Sequence, residues 1–352
     1  MAPLKLTNLD YGCLRNISKK SEEMSLLNLA IALNSTKSEF LPVRAKIEYI
    51  TLNIHKDSCV IEIKFGKRRE VFWRISKLYC DGRSSEGTRD TFYLGGMKVD
   101  NRRLLRRDKH VIYSHCQNDI LVCQKLIELM FTVYLPDEFC IYIARKCNIS
   151  NILNLKALNQ VQDLVFVVYQ LSDQEFSHFN QKVHPKKSLT LNFFGYQNQN
   201  HGCEMNFDYD HLELVTAEWM TEENFLRIDC RRVQIGVTRL TNEILNKYIK
   251  NWVSGGNSKL ERMSIHLENG DLDRILDGIE TKCLKEIKQE KGIEYKAIEF
   301  FNDELYIDLA MEFNGFSGRH FTRSDGKTAT VELKQNKKLY FVIWNENTVK
   351  IV

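Results

Sequence analysis

The chain has 352 residues, 43% of them hydrophobic and 27% charged, and a formal net charge of +4 from 50 basic and 46 acidic side chains. This is ordinary globular material, long enough for two domains or for a small module beside a larger one. The near balance of charge speaks against a dedicated nucleic-acid coat and an acidic tail, and the 4 prolines leave no proline-rich linker.

The 10 cysteines are scattered and none forms a CxxC pair. Cys59, Cys123 and Cys140 stand inside apolar runs, where a free thiol behaves as a small core residue. The pattern fits a reducing compartment. The opening stretch MAPLKLTNLDYG has no apolar signal core, and no run approaches a membrane-spanning length. The expected location is the cytosol or the nucleus; the sequence does not choose between them.

Residues 3–40 hold one apolar group at Leu4, Leu6, Leu9, Leu14 and Ile17, and a second at Leu26, Leu27, Leu29, Ile31 and Leu33. These predict two or three short helices, too small to hold a core alone. Such a hairpin docks either on the rest of its own chain or on a partner. Residues 46–75 alternate apolar and polar through Ile47, Tyr49, Leu52, Ile54, Val60, Ile61, Ile63, Phe65, Val71, Trp73 and Ile75. This predicts an antiparallel meander of about three strands. Residues 81–109 are polar and end in the basic run NRRLLRRDK, with no aromatic residue interleaved. A solvated loop or helix face is preferred there over a nucleic-acid site.

From Asp119 the pattern turns helical as far as Pro136. Strand patterns then start near residues 139, 163, 188, 211, 232 and 261, with helical stretches between them. Those helices are expected at Ser150–Gln160, at Ser172–Val183 with Ser172 as N-cap, at Thr221–Ile228, and at Thr241–Val253 with Thr241 as N-cap and Gly255-Gly256 as the stop. Spacings of about 20 to 29 residues suit leucine-rich repeats. Val161-x-x-Leu164-x-Phe166 and Leu260-x-x-Met263-x-Ile265 fit the core of that pattern, though the asparagine that normally follows is missing. The last segment predicts one helix from Leu272 to about Lys291. Strands follow at 295–300, 305–309, 329–333 and 339–343, with a turn at Arg323-Ser324-Asp325-Gly326-Lys327.

No catalytic pattern stands out. His115, Cys116, Cys123, Cys140 and Cys147 lack zinc spacing, and His201 with Cys203 makes only half a metal pair. No GxSxG, HExxH, P-loop or dinucleotide glycine pattern is present, so no cofactor and no enzyme activity is expected. Glu222-Glu223 suits the first turn of a helix, where it favours the helix dipole. Trp252 lies on an apolar face with Tyr248 and Ile249 and is read as core.

Two stretches carry a resemblance. Pro3-Leu4-Lys5-Leu6-Thr7, Leu14-Arg15-Asn16-Ile17 and Leu26-Leu27-Asn28-Leu29-Ala30 resemble a divergent F-box, with Thr7 where that pattern has proline and Ala30 where it often has serine. The stretch from Leu212 to Ile265 is similar to the F-box-associated region of the large F-box family expanded in nematodes. Its marks are Trp219, Leu240-Thr241-Asn242, Leu245-Asn246, Lys250, Trp252 and Leu260-Glu261-Arg262-Met263. The turn containing Asp325 and Gly326, with Trp344, is similar to that family's C-terminal hairpin.

The resemblance implies a substrate-recognition adaptor of a Skp–cullin–F-box ubiquitin ligase. Pro3, Leu4, Leu6, Leu9, Leu14, Ile17, Leu26 and Leu29 would bind the Skp-type linker protein, and the repeat region would hold an unidentified target. Loss of linker binding, leaving a plain protein-binding module, stays open. No nucleic-acid or membrane partner is expected. The expected fold is α/β: an F-box-like helical module (1–43), a β-rich segment with a polar loop (44–118), and an irregular leucine-rich-repeat-like array ending in a β-hairpin region (119–352).

Overall fold

The computed structural model describes residues 45–55, 57–65, 69–77, 87–106, 109–143, 150–154, 156–159, 161–168, 171–193, 207–283, 286, 293–295, 298–299, 312–313, 317–335, 337–344 and 349–351. Two compact units divide the chain. The first takes Met1–Leu189 with Phe193–Gly195, and the second takes Thr190–Asn192 with Tyr196–Val352. The F-box-like segment lies outside the described residues.

In the first unit, β1 (Ala45–Ile54), β2 (Ser58–Phe65) and β3 (Arg69–Ser76) form the expected meander, with Leu52 opposite Ile61 and Ile61 opposite Trp73. β4 (Thr88–Leu94) and β5 (Met97–Arg106) make a hairpin, and β6 (Lys109–His115) lies between β5 and β3. α1 (Asp119–Val133) runs straight into β7 (Tyr134–Ile143). After α2 (Ser150–Leu153) and a 3-10 turn at Lys156–Asn159 come β8 (Asp163–Val168), α3 (Asp173–Lys182) and β9 (Ser188–Phe193), of which Thr190–Asn192 count with the second unit.

The strand order in this unit is β8-β7-β1-β2-β3-β6-β5-β4. β7 is parallel to both β8 and β1, and β6 is parallel to β3. α1 covers one face. Cys59 Sγ lies 3.8 Å from Asp119 Oδ2, and the Phe131 ring meets Phe139 edge-on at 5.2 Å. On that face Ile50, Leu52, Ile61, Ile63, Trp73, Ile75 and Ile141 are buried, each contributing roughly 1.5–3 kcal/mol by leaving water.

The second unit runs β10 (His211–Ala217), α4 (Glu222–Leu226), β11 (Arg232–Thr238), α5 (Asn242–Val253), β12 (Arg262–His266) and α6 (Leu272–Ile275). Then come β13 (Lys282–Cys283), β14 (Ile293–Tyr295), β15 (Ile298–Glu299) and β16 (Glu312–Phe313). β17 (Arg319–Thr322), β18 (Thr328–Lys334), β19 (Lys338–Trp344) and β20 (Val349–Ile351) close the chain. The order is β13-β17-β18-β19-β12-β11-β10. β10, β11 and β12 are parallel because α4 and α5 return the chain to the same end, and β19 then pairs antiparallel with β12. β14 pairs with β20 and β15 with β16 as separate two-stranded pieces.

Strand starts at 163, 188, 211 and 232 fall where the periodicity puts them, and Val161, Leu164, Phe166, Leu260, Met263 and Ile265 are all buried. Ser172 caps α3 in a full capping box, its Oγ accepting from Glu175 N while the Glu175 carboxylate accepts from Ser172 N at 3.0 Å. Phe176 and Phe179 point inward, and each meets the Phe193 ring edge-on.

Four expectations are corrected. The stretch 81–109 is not a loop or helix face where it is described: it holds β4 and β5, joined at Gly95-Gly96 with φ of 55° and 80°. Two glycines between strand-like runs are a hairpin signal, because both central residues need positive φ. The helix from Asp119 stops at Val133 rather than at Pro136. The residue before a proline is driven to extended backbone, so Leu135 already belongs to β7, where Pro136 lies opposite Ile47.

The helix expected over 150–160 is one α turn and one 3-10 turn. The Asn154 side chain bonds His178 Nε2 at 3.0 Å, and Asn159 Nδ2 donates to Lys182 O at 2.7 Å. Asparagine side chains with such partners favour turns over helix interior. The helix expected from Leu272 to Lys291 is interrupted: Leu272–Ile275 forms one turn, Gly278 takes φ 71°, and Lys282–Cys283 is strand, while Glu286 is helical and 284–285 and 287–291 lie outside the described residues. Of the final strand patterns, 329–333 and 339–343 lie in β18 and β19, while 305–309 is outside the described residues.

β11 carries a register irregularity between Ile235 and Val237. Between them sits Gly236, where an added Cβ would meet the Val215 carbonyl oxygen at 2.0 Å. Gly236→Ala is therefore expected to destabilise the chain by roughly 1–3 kcal/mol or more, through backbone displacement of β10. Gly96→Ala meets nothing within 4 Å and costs only its positive φ. Urea unfolding of the two variants checks this: equal midpoints would contradict it.

Candidate functional site

The site is built around α5. Thr241 caps its start, its Oγ1 accepting from Ile244 N at 3.4 Å. Leu245, Tyr248, Ile249 and Trp252 recur at helical spacing and are buried. Gly255 ends the helix at φ 102°, donating to Trp252 O at 3.0 Å, and Gly256 N donates to Asn251 O at 2.9 Å. The chain is then tied back through Asn257, at φ 37°. Its Nδ2 donates to Ile228 O at 3.0 Å and to the Tyr248 hydroxyl at 2.8 Å, while its Oδ1 accepts from Leu260 N at 3.0 Å.

At the other end of α5, Asn242 Oδ1 accepts from Asp271 N at 3.0 Å. One turn on, Asn246 Nδ2 donates to Ile275 O and Asp277 O, both at 2.9 Å. Both asparagines fasten α6 to α5. α4 is held as well, since Lys247 Nζ bonds Glu222 at 2.6 Å and Phe225 packs on Tyr248 with ring centroids 4.8 Å apart.

The C-terminal hairpin closes on the end of α5. Trp252 meets Phe321 and Phe341 edge-on, at 5.9 and 5.3 Å between centroids. The Arg323 guanidinium lies 4.9 Å from the Trp252 ring centroid, a cation–π contact. The same guanidinium grips Asp325 with both arms, Nε to Oδ1 at 3.0 Å and Nη2 to Oδ2 at 2.5 Å, and its Nη1 reaches Gly256 O at 3.5 Å. Its side chain is only 3% exposed. The turn itself is closed by Arg323 N to Lys327 O and by Gly326 N to Arg323 O, with Gly326 at φ 88°. Lys327 Nζ then reaches Ser258 O at 3.3 Å.

The Arg323 hydrogen bond holds the Asp325 carboxyl down at about 2 and raises Arg323 itself. A buried polar chain runs alongside: Trp344 Nε1 donates to Thr330 Oγ1 at 2.6 Å, and that hydroxyl bonds His320 Nδ1 at 2.6 Å.

The structure brings Trp252, Asp325 and Gly326 together. Asn242 sits at the far end of the same helix. Trp219 and Leu240 are placed apart from them, both buried, with Trp219 Nε1 donating to Thr216 O at 2.9 Å and Leu240 N to Thr238 Oγ1 at 3.2 Å. Pro3, Leu4, Leu6, Leu9, Leu14, Ile17, Leu26 and Leu29 lie outside the described residues. Reading from sequence named Asn246 only as a family mark and Arg323 only as part of a turn, with no contact for either, and passed over Asn257. The signal for Arg323 was there: an arginine two residues before aspartate across a tight turn can close a bidentate pair.

The contacts around α5 are structural fastenings. Burial pushes the Cys116 thiol up to about 11 and the Cys230 thiol up to about 12, which keeps both neutral. Among the described residues, no three His, Cys, Asp or Glu side chains gather as a metal set, and no helix is long and apolar enough to cross a membrane.

Two predictions follow from the Trp252 contacts. Trp252→Ala is expected to cost about 3–5 kcal/mol, read from chemical denaturation. Asp325 contributes stability above its ordinary value of 3.8, and that contribution disappears as pH falls through about 2. Acid titration followed by circular dichroism should show a shallower loss between those values for Asp325→Asn than for the unaltered chain. Identical acid limbs would mean that the pair does not bear on folding.

Comparison with known proteins places this region. Residues 203–265 match the family described as F-box associated. Uncharacterized protein F59B2.9 of Caenorhabditis elegans is 20% identical over 333 residues, which cover 87% of this chain and 70% of that protein. Uncharacterized protein F59B2.8 of the same organism is 27% identical over 144 residues, 39% of this chain and 31% of that one. No solved structure matches. The family match spans β10 to β12 and all of α5, and with the two relatives it supports a connection to an expanded nematode F-box-associated family.

Proposed function

We propose that the chain is a substrate-recognition adaptor of a Skp–cullin–F-box type ubiquitin ligase. The observation that carries this reading is the F-box associated match over residues 203–265. In this reading the chain performs no chemistry. It raises the effective concentration of a target protein beside the ligase, and a binding surface on a stable frame is all that requires. The neutral, buried Cys116 and Cys230 and the structural use of Trp252, Asp325 and Asn242 are consistent with such a frame.

Pro3, Leu4, Leu6, Leu9, Leu14, Ile17, Leu26 and Leu29 are assigned to the Skp-type linker protein. The division into a linker-binding module (1–43), a β-rich segment (44–118) and a target-binding region (119–352) belongs to the same proposal. So does the description of the strand–helix units as irregular leucine-rich-repeat-like, supported by the parallel strands β7–β8 and β10–β11–β12. The cytosol or the nucleus, where such ligases work, is the compartment assigned.

Co-purification with the linker protein is the test. The full chain is expected to retain it, and Leu4→Asp, Leu6→Asp and Leu14→Asp together to release it without lowering the melting temperature. If the unaltered chain retains no linker, the chain is a protein-binding module alone. Thr7, in the place where the F-box pattern has proline, makes that the second reading.

A further inference from the structure

The face of the first unit's sheet turned away from α1 carries a row of residues that the sequence does not place together. Strand register sets Arg89 on β4 opposite Arg102 on β5, Arg102 opposite Tyr113 on β6, and Tyr113 opposite Arg74 on β3. Side chains alternate between faces along a strand, so all four lie on the side opposite Trp73 and Ile112. Arg89 and Arg74 are exposed, and Arg102 and Tyr113 are half-buried. Tyr93, on the same face of β4, is 58% exposed, the largest exposure among the big apolar side chains described. The neighbouring row is apolar: Leu104, Val111 and Phe72, all half-buried, with Glu62 at its margin.

Two acids of this face are already engaged, and a third, Glu62, lies diagonally across from Arg74. Asp100 is held by Lys98 at 3.0 Å and by Thr91 at 2.7 Å, and Glu70 by Lys109. Arg74 and Arg89 take no part in these pairs. The basic run in β5 has no aromatic neighbour along the chain. The fold supplies Tyr113 from the next strand, and Tyr93 and Phe72 beside the row.

We propose that this face docks an acidic segment of a target protein, one that also carries apolar or aromatic side chains. The occupant is argued from complementarity. Guanidinium forks pair with carboxylates, and arginine and tyrosine are the residues that anchor protein interfaces. The row crosses four strands, about 14 Å at sheet spacing, which is the reach of about four extended residues. The parallel apolar row takes the segment's other side chains. The proposal rests on the adaptor reading above, places a target contact in the β-rich segment (44–118) in addition to the region 119–352, and specifies what the adaptor recognises there.

The test uses the full chain and a fluorescent random copolymer of glutamate and tyrosine. Single-stranded oligouridylate serves as the second probe, and retention of the linker protein is measured on the same samples. Arg74→Glu combined with Arg89→Glu is expected to weaken copolymer binding by about tenfold or more. Arg239→Glu, an exposed position in the second unit, should leave it within about twofold. Both changes are at exposed sites, and equal melting temperatures confirm that the fold is kept.

No loss in the double variant, or an equal loss in Arg239→Glu, overturns the proposal. Tighter binding of oligouridylate that the double variant abolishes overturns it in favour of nucleic acid. Absent linker retention with copolymer binding intact supports the docking face and refutes the adaptor reading.

Discussion

The second unit depends on one guanidinium. Arg323 is almost wholly buried, and its guanidinium meets Asp325 in its own turn, the Gly256 carbonyl after α5, and the face of Trp252. A charge at that depth is costly unless it is paired and hydrogen-bonded. Here the pairing also joins two pieces of chain almost seventy residues apart. The end of α5 and the C-terminal hairpin are therefore fixed by the same contact. Removing Asp325 leaves the buried Arg323 charge without its carboxylate, whereas Asp325 itself is half exposed.

Around that contact the packing follows from strand direction. Parallel strands need crossovers, and α4 and α5 provide them for β10, β11 and β12. The crossover helices are short, so propensity alone would not hold them. They are held by caps at Thr221 and Thr241, by asparagine side chains reaching backbone carbonyls, and by Phe225, Tyr248 and Trp252 in the core. β19 then runs antiparallel to β12 and ends the parallel array. The family match covers β10, β11, α4, α5 and all but the last residue of β12, and its two tryptophans, Trp219 and Trp252, are buried structural residues.

Much of this was legible in the sequence, and the reasons are local. Thr241 before an apolar helical stripe, Gly255-Gly256 after it, and Asp325-Gly326 between strand patterns each act through their own backbone, so one chain is enough to read them. What failed was non-local or finely balanced. Nothing local says that β1 pairs in parallel with β7, or that β3 pairs with β6. The helix expected over 272–291 failed at Gly278, whose left-handed backbone outweighs the apolar spacing around it. Arg323 was passed over because its importance lies in Trp252 and Gly256, which only the fold brings near. Tyr113 likewise meets Arg102, and Arg74 meets Tyr113, only through strand register, so the arginine run looked isolated along the chain.

The central physical claim is that α5 and the C-terminal hairpin behave as one cooperative element because Arg323 couples them. Native-state hydrogen exchange of the Arg323→Ala variant tests this most directly. The account predicts that amides near the end of α5, at Ile249 to Trp252, and amides of β18, at Ala329 to Val331, lose protection together and by similar factors. Loss confined to the turn at Ser324 to Lys327, with α5 unchanged, would contradict it.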